Sequence, residues 1–181
     1  MKKYRKSKYI WVCIQNTIFY TEKHFIYTKK MKYLTVLKKL EKKHVCPFCH
    51  EKEENILQVG KYFYVIPARV PYTKDHILII PKRHVNLLIT LSHKELKEMH
   101  EMVDIRTKKL HTKHKDISLL LRDGLVSDLN ISKSVNHLHF HLLPDIGVHL
   151  EWIKHQKPED RVWIEDNEYT KLAQKIRKKF L

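Results

Sequence analysis

Three histidines alternate with apolar residues in Ser134-Val-Asn-His-Leu-His-Phe-His-Leu-Leu-Pro-Asp145. His137, His139 and His141 stand two apart, and Leu138, Phe140 and Leu142 fill the intervening positions. Strict alternation is strand periodicity, so the imidazoles line one face and the apolar side chains the other. A neutral imidazole near pH 7 is a competent nucleophile, and its protonated form is a general acid. Several imidazoles together can attack a phosphorus, donate to a leaving group and balance phosphate charge. One metal ion cannot hold all three. The outer two Cα atoms lie about 13 Å apart at roughly 3.3 Å per residue. Two histidine nitrogens on one zinc sit about 3–4 Å apart. At least one imidazole is therefore left for other chemistry.

Two further groups of reactive residues precede this strand. Cys46-Pro-Phe-Cys49 is a C-x-x-C pair, whose spacing suits either a zinc site or a redox dithiol, and His50 follows at once. Asp75-His76-Ile-Leu-Ile-Ile-Pro-Lys-Arg-His84 places one histidine on each side of an apolar run.

The elements that must position these residues can be read from periodicity. Tyr62–Pro67 and Ile77–Ile80 read as strands, the second closed by Pro81. Ser92-His-Lys-Glu95 has the pattern of a capping box. It opens a helix expected to reach about His114, with Leu96, Met99, Val103 and Leu110 on one face. Ile117–Leu121 and the histidine stretch read as strands, and Val162-Trp-Ile164 as a short one. Leu34, Leu37 and Leu40 mark a short amphipathic helix over 33–43. A last helix begins near Asp166, with Tyr169, Leu172, Ile176 and Phe180 inward and Lys171, Lys175, Lys178 and Lys179 outward. The βαβ rhythm of a parallel sheet is absent, which points to an α+β fold with an antiparallel sheet.

Composition narrows the function classes. The chain of 181 residues suits one domain with a fair core. No apolar run reaches the roughly 20 residues that span a bilayer, so no membrane role is expected. Three cysteines make no disulfide framework, and a reducing, cytoplasmic setting is the expectation. The net charge of +16 invites a nucleic-acid reading, but its distribution weakens it. Residues 1–44 hold 13 of the 36 Lys+Arg and 2 of the 20 Asp+Glu, which leaves only +5 for the rest. A mildly basic body suits small anionic phosphates. The basic cluster Lys2–Lys8 before Tyr9-Ile-Trp-Val-Cys-Ile14 lacks the cleavage site of a signal peptide.

The blocks quoted above resemble those of the histidine-triad family. His137-Leu-His-Phe-His141-Leu-Leu matches its His-φ-His-φ-His-φ-φ motif, where φ is apolar. Cys46–Cys49 looks like the Cys pair of many bacterial members, and the segment from Asp75 to His84 looks like the family's Gly-His-x-Leu-Val-Ile-Pro-Lys-x-His. The resemblance implies an antiparallel sheet of about five strands with a long helix packed on it, usually in a homodimer. It also implies a domain over 45–150, preceded by a basic extension over 1–44 and followed by a helical segment over 151–181. Met31 is a natural start, so residues 1–30 are expected to be dispensable.

Residue roles follow from the same resemblance. His139 would be the nucleophile, His141 would hydrogen-bond the phosphate and assist proton transfer, and His76 would face the phosphates in the same catalytic pocket. Ser134 would donate to a phosphate oxygen. The family's glycine-rich phosphate loop is replaced by Arg122-Asp-Gly-Leu-Val-Ser-Asp-Leu-Asn-Ile-Ser-Lys-Ser134, in which Lys133 or Arg122 would supply phosphate contacts. Cys46, Cys49, His84 and His137 match the ligands of a structural zinc site, with His50 a competing ligand. The leading expectation is a nucleotide phosphohydrolase that cleaves adenosine phosphoramidates or dinucleoside polyphosphates through a nucleotidyl-histidine. An aprataxin-like hydrolase of adenylated nucleic-acid ends and a non-catalytic zinc-stabilised binding module are the alternatives. Nucleic acid is a possible partner but not the favoured one.

Overall fold

Three apolar runs, each closed by proline, form the centre of the protein. A computed structural model describes residues 32–125, 135–146 and 161–180. Within them α1 spans Tyr33–Lys42, β1 Gln58–Val59, β2 Phe63–Pro67, β3 Ile77–Pro81, α2 His93–Leu110, β4 Ile117–Arg122, β5 His139–Pro144 and α3 Asp166–Phe180. Strands β2, β3 and β5 are buried along their whole length and end on Pro67, Pro81 and Pro144. Proline has no N–H to continue a ladder, so each run stops there. The five strands form one sheet in the order β1-β2-β3-β5-β4, and every pair is antiparallel.

Alternation divides the sheet into two faces. Phe63, Val65, Ile77, Ile79, Phe140 and Leu142 point to one side, where Met102 and Leu110 of α2 and Ala173, Ile176 and Phe180 of α3 cover them. Register puts Ile79 opposite Phe140 and Leu78 opposite His141, so the imidazoles share the other face with Leu78. On the far side of β5, Arg122 pairs with His139 and Leu120 with His141, which brings the Arg122 side chain to the imidazole face. The sheet, the long helix and the C-terminal helix agree with the expected α+β architecture.

Helix α2 is tied to the sheet through its first two turns. Ser92 and Glu95 form the expected capping box, and Arg83 bonds Glu95 through Nε at 2.6 Å and Nη2 at 3.1 Å. That ion pair fixes the connection that carries His84. One turn further along, the Glu98 carboxylate accepts from the backbone N–H of Lys61, Tyr62 and Phe63 at 3.1, 2.7 and 2.8 Å, where β2 begins. A Cβ on Gly60 would fall onto the Glu98 carboxylate and the Met102 methyl, so both side-chain ends would have to shift.

Some details depart from the sequence reading. Helix α2 stops at Leu110, short of His114. The His114 ring is bonded instead between Asp75 and Asp145, which draws the chain out of the helix. Residues 162–164 form no strand; Val162 makes a single bridge to Lys32. Ala173 is fully buried where Leu172 was expected inward, and Leu172 is only partly covered. Lys179, expected to face solvent, bonds Asp75. Residues 1–30, expected to be dispensable, lie outside the described residues.

Glu98→Ala should destabilise the protein by about 2–3 kcal/mol, since a carboxylate taking several backbone N–H bonds at a partly buried strand start is lost. The shift in urea midpoint at constant m-value measures it, and a shift below about 0.5 kcal/mol would mean that water replaces the carboxylate.

Candidate active site and metal centre

The order of protons along the imidazoles follows from backbone groups. The amide N–H of Tyr72 donates to His76 Nδ1 at 3.2 Å, so the hydrogen of a neutral His76 is on Nε2. His76 Nε2 lies 2.8 Å from His141 Nδ1 and donates to it. The hydrogen of His141 is then on Nε2, a buried atom with no hydrogen-bond partner among the described residues. His139 has the reverse arrangement. Its Nδ1 donates to the His137 carbonyl at 2.6 Å, which leaves the lone pair on Nε2. The rings of His139 and His141 are 4.9 Å apart. One imidazole thus offers a lone pair and its neighbour an N–H.

Burial keeps this arrangement neutral. His76 is 2% exposed, and desolvation, with the nearby His139 and Arg122, lowers its pKa to about 3. Desolvation holds His141 well below the ordinary histidine value, with His76, His139, Arg122 and Arg161 adding to the effect. The Tyr72 ring stacks on His76 at 5.5 Å, and Phe48 meets His139 edge-on at 5.1 Å. A cavity of about 230 Å³ opens over this face, lined by all three of His76, His139 and His141 and by Arg122.

His137 is turned away from that cavity toward the cysteines. Its Nε2 donates to the Pro81 carbonyl at 2.9 Å, so Nδ1 carries the lone pair and faces Cys46 Sγ at 3.4 Å and Cys49 Sγ at 3.6 Å. His84 Nδ1 lies 3.3 Å from Cys49 Sγ. The four ligand atoms lie within 4.8 Å of one another. A tetrahedral ion with bonds of about 2.0–2.3 Å holds its ligand atoms about 3.3–3.8 Å apart, so small side-chain adjustments close the set. Burial and the adjacent Cys46 push the Cys49 thiol up to about 12. Two sulfurs this close cannot both ionise without a cation between them, and a metal ion would be that cation. The group can hold a metal ion; His50 is not part of it.

Several predicted site residues therefore come together, and they divide into two centres. Cys46, Cys49, His84 and His137 form one; His76, His139, His141 and Arg122 line the other. Ser134 and Lys133 lie outside the described residues. The sequence reading missed Tyr72, Phe48, Tyr33, Arg161 and Trp163, which also line the cavity. Tyr72 stands four residues before His76, a weak local signal. Arg161 and Trp163 carry none.

A HIT domain family model matches residues 50–147. No curated protein sequence matches the chain. Among solved structures, the C. elegans NitFhit protein aligns with a TM-score of 0.53 at 18% identity over 71% of this chain, but the chain spans only 28% of that protein. A Zn-bound histidine triad family protein from Mycobacterium smegmatis aligns with a TM-score of 0.50 at 18% identity, covering 74% of this chain and 93% of the other. The diadenosine triphosphate hydrolase of Plasmodium falciparum, solved with cyclomarin A, gives 0.51 at 18% identity over 82% and 95%. At these identities the structures speak for the fold.

The depressed His76 pKa has a pH consequence. Below its unfolded value of 6.5 the unfolded chain binds a proton that the fold refuses until about pH 3. The unfolded state holds more protons in that window, so stability is complete above 6.5 and falls as pH drops toward 3. His76→Gln should make this loss shallower, as read from urea midpoints between pH 7 and 4. An unchanged slope would put the titration elsewhere.

The family match extends over more than half of the chain, and the alternating strand inside it already carries the ordered imidazoles, so this chain belongs to the HIT, or histidine-triad, family.

Proposed function

We propose that the protein is a nucleotide hydrolase that cleaves small nucleotidyl substrates at the α-phosphate through a nucleotidyl-histidine. The observation that carries this reading is the opposed proton placement on His139 and His141. His139 Nε2 attacks the α-phosphorus and forms a P–N bond. The bond from phosphorus to the leaving group breaks, its electron pair departs with that group, and the His141 Nε2–H donates there. Water then adds its oxygen to phosphorus as the P–N bond breaks; the electron pair returns to His139 Nε2, the released proton restores the His141 Nε2–H, and the nucleoside monophosphate leaves. Arg122 stabilises the charge that builds on the phosphoryl oxygens, and Ser134 and Lys133 are assigned to phosphate contacts. His76 passes hydrogen-bond polarisation from the Tyr72 amide to His141.

The metal is zinc, and its role is structural. Two thiols and two imidazoles make a closed set for a borderline-soft ion. Bound there, zinc presents no open position to a substrate, so it contributes to folding and not to the steps above. The solved M. smegmatis relative is Zn-bound, which supports this assignment. A cytoplasmic homodimer is part of the same reading. Strand β4 is an edge of the sheet among the described residues, and Leu119 on it is 53% exposed.

A second reading, hydrolysis of adenylated nucleic-acid ends, draws on the basic residues of 1–44. Affinity for a 5′-adenylated oligonucleotide should then fall steeply between 50 and 200 mM salt, because phosphate-tracking contacts release counterions.

Substrate labelled at the α-phosphate, quenched without acid, should leave an adduct on the peptide containing His139. His139→Asn should lack the adduct and lose at least about 10³-fold in turnover. Wild-type turnover in that variant would mean that another nucleophile operates. Purified protein should carry about one zinc per chain, and Cys49→Ser should lower Tm while the folded fraction keeps its turnover. Metal-free protein of unchanged Tm would overturn the zinc assignment.

A further inference from the structure

Part of the cavity wall comes from beyond the family match. Tyr33 lies before residues 50–147, and Arg161 and Trp163 lie after them. These pieces are held together, since the Tyr33 N–H donates to the Arg161 carbonyl at 3.0 Å and the Tyr33 and Trp163 rings stack at 6.1 Å. Arg161 Nη1 donates to the Tyr72 hydroxyl at 2.9 Å, and its guanidinium carbon sits 4.7 Å from the centre of the Tyr72 ring. That ring is 5.9 Å from His141 and 5.5 Å from His76. The guanidinium and the proton-donating imidazole therefore meet the same aromatic ring, and all three line the cavity. Its field reaches the site, because Arg161 and Arg122 both depress the basicity of His141.

Two cations along the wall, Arg69 and Lys52, are matched to carboxylates. Arg69 pairs with Asp166 at 2.6 Å and with Glu51 at 3.8 Å, and Lys52 pairs with Asp166 at 3.1 Å. Arg122 makes no ion pair among the described residues. Burial keeps His141 neutral as a donor, so positive charge at the leaving-group end comes from guanidinium groups.

We propose that Arg161 is a specificity-determining residue that favours substrates whose leaving group is a phosphate, that is nucleotidyl phosphoric anhydrides, over phosphoramidates whose leaving group is an amine. The inference rests on the hydrolase reading above. When His139 attacks an anhydride, the P–O bond breaks and its electron pair stays on the departing phosphate oxygen. Negative charge grows there, and a nearby guanidinium stabilises it. When the leaving group is an amine, the P–N bond breaks and the departing nitrogen takes a proton from His141. No anion forms, and an amine that carries positive charge is repelled by Arg161.

The test compares the full-length protein with Arg161→Gln and Arg161→Lys. The phosphoramidate probe is the tryptamine amide of adenosine 5′-monophosphate. The anhydride is presented as diadenosine triphosphate and as a 5′-adenylated oligonucleotide, which separates free nucleotides from nucleic-acid ends. The ratio of kcat/KM for the better anhydride to that for the phosphoramidate should fall about tenfold or more in Arg161→Gln and recover partly in Arg161→Lys. Equal losses on both classes would make Arg161 a support for Tyr72 only, and an unchanged ratio would also overturn the proposal. Binding gives a readout that needs no turnover. The wild type should prefer α,β-methylene ADP to AMP, and Arg161→Gln should shrink that preference. If no substrate is cleaved, the hydrolase reading fails, while the binding ratio still decides the role of Arg161.

Discussion

The hydrogen bond from the Tyr72 amide to His76 Nδ1 orders the chemistry of the cavity, because a backbone N–H can only donate. It forces His76 to hold its hydrogen on Nε2, and this makes His141 Nδ1 an acceptor and His141 Nε2 a donor. The sequence is directional and holds only while the rings are neutral. A proton added to His76 Nδ1 would turn the acceptor toward another donor. Burial therefore does more than pack the rings: it keeps both imidazoles in the charge state in which their hydrogens point one way.

Two aspartates in unusual backbone conformations support this arrangement from outside. Asp75 immediately precedes His76 and has φ of 60°; Asp145 immediately follows β5 and has φ of 51°. Glycine would adopt such a conformation without the roughly 1–2 kcal/mol that a side chain costs there. The carboxylates offset that cost. His114 lies between them, with Nε2 at 2.9 Å from Asp75 and Nδ1 at 2.7 Å from Asp145, and Lys179 also bonds Asp75. Asp145 in addition takes the backbone N–H of Lys115 and Asp116. The bracket joins the start of β3 to the end of β5. His76 enters the cavity from the first of these, and His141 from within β5, three residues before its end.

Much of this was legible in the sequence, for a physical reason. Strand alternation is a local property, so the face carrying His137, His139 and His141 could be read from their spacing alone. The capping box at Ser92 and Glu95 is equally local. Asp75 stands where the family motif has glycine, and its backbone is left-handed. What escaped was set by contacts between distant segments. Nothing around Arg161 marks it as a neighbour of Tyr72, since the contact depends on how α1, the cavity wall and the segment before α3 meet. The end of α2 was misplaced for a similar reason. Lys109, Leu110 and His111 continue a plausible helical pattern, and only the two carboxylates claiming His114 stop it.

His137 shows why the metal centre and the imidazole row need not compete. Its side chain belongs to the first and its backbone to the second. Nε2 is fixed by the Pro81 carbonyl of β3, which turns Nδ1 to the cysteine sulfurs. Its carbonyl accepts from His139 Nδ1, which sets the lone pair of the nucleophile candidate on Nε2. A side chain that merely filled space at 137 would leave that carbonyl in place, but not the anchor that orients it. Fixing His137 through Pro81 and the Cys/His group therefore also fixes the acceptor that defines the His139 tautomer. The two centres are linked through one residue's backbone, and the link needs no shared ligand and no movement of the sheet.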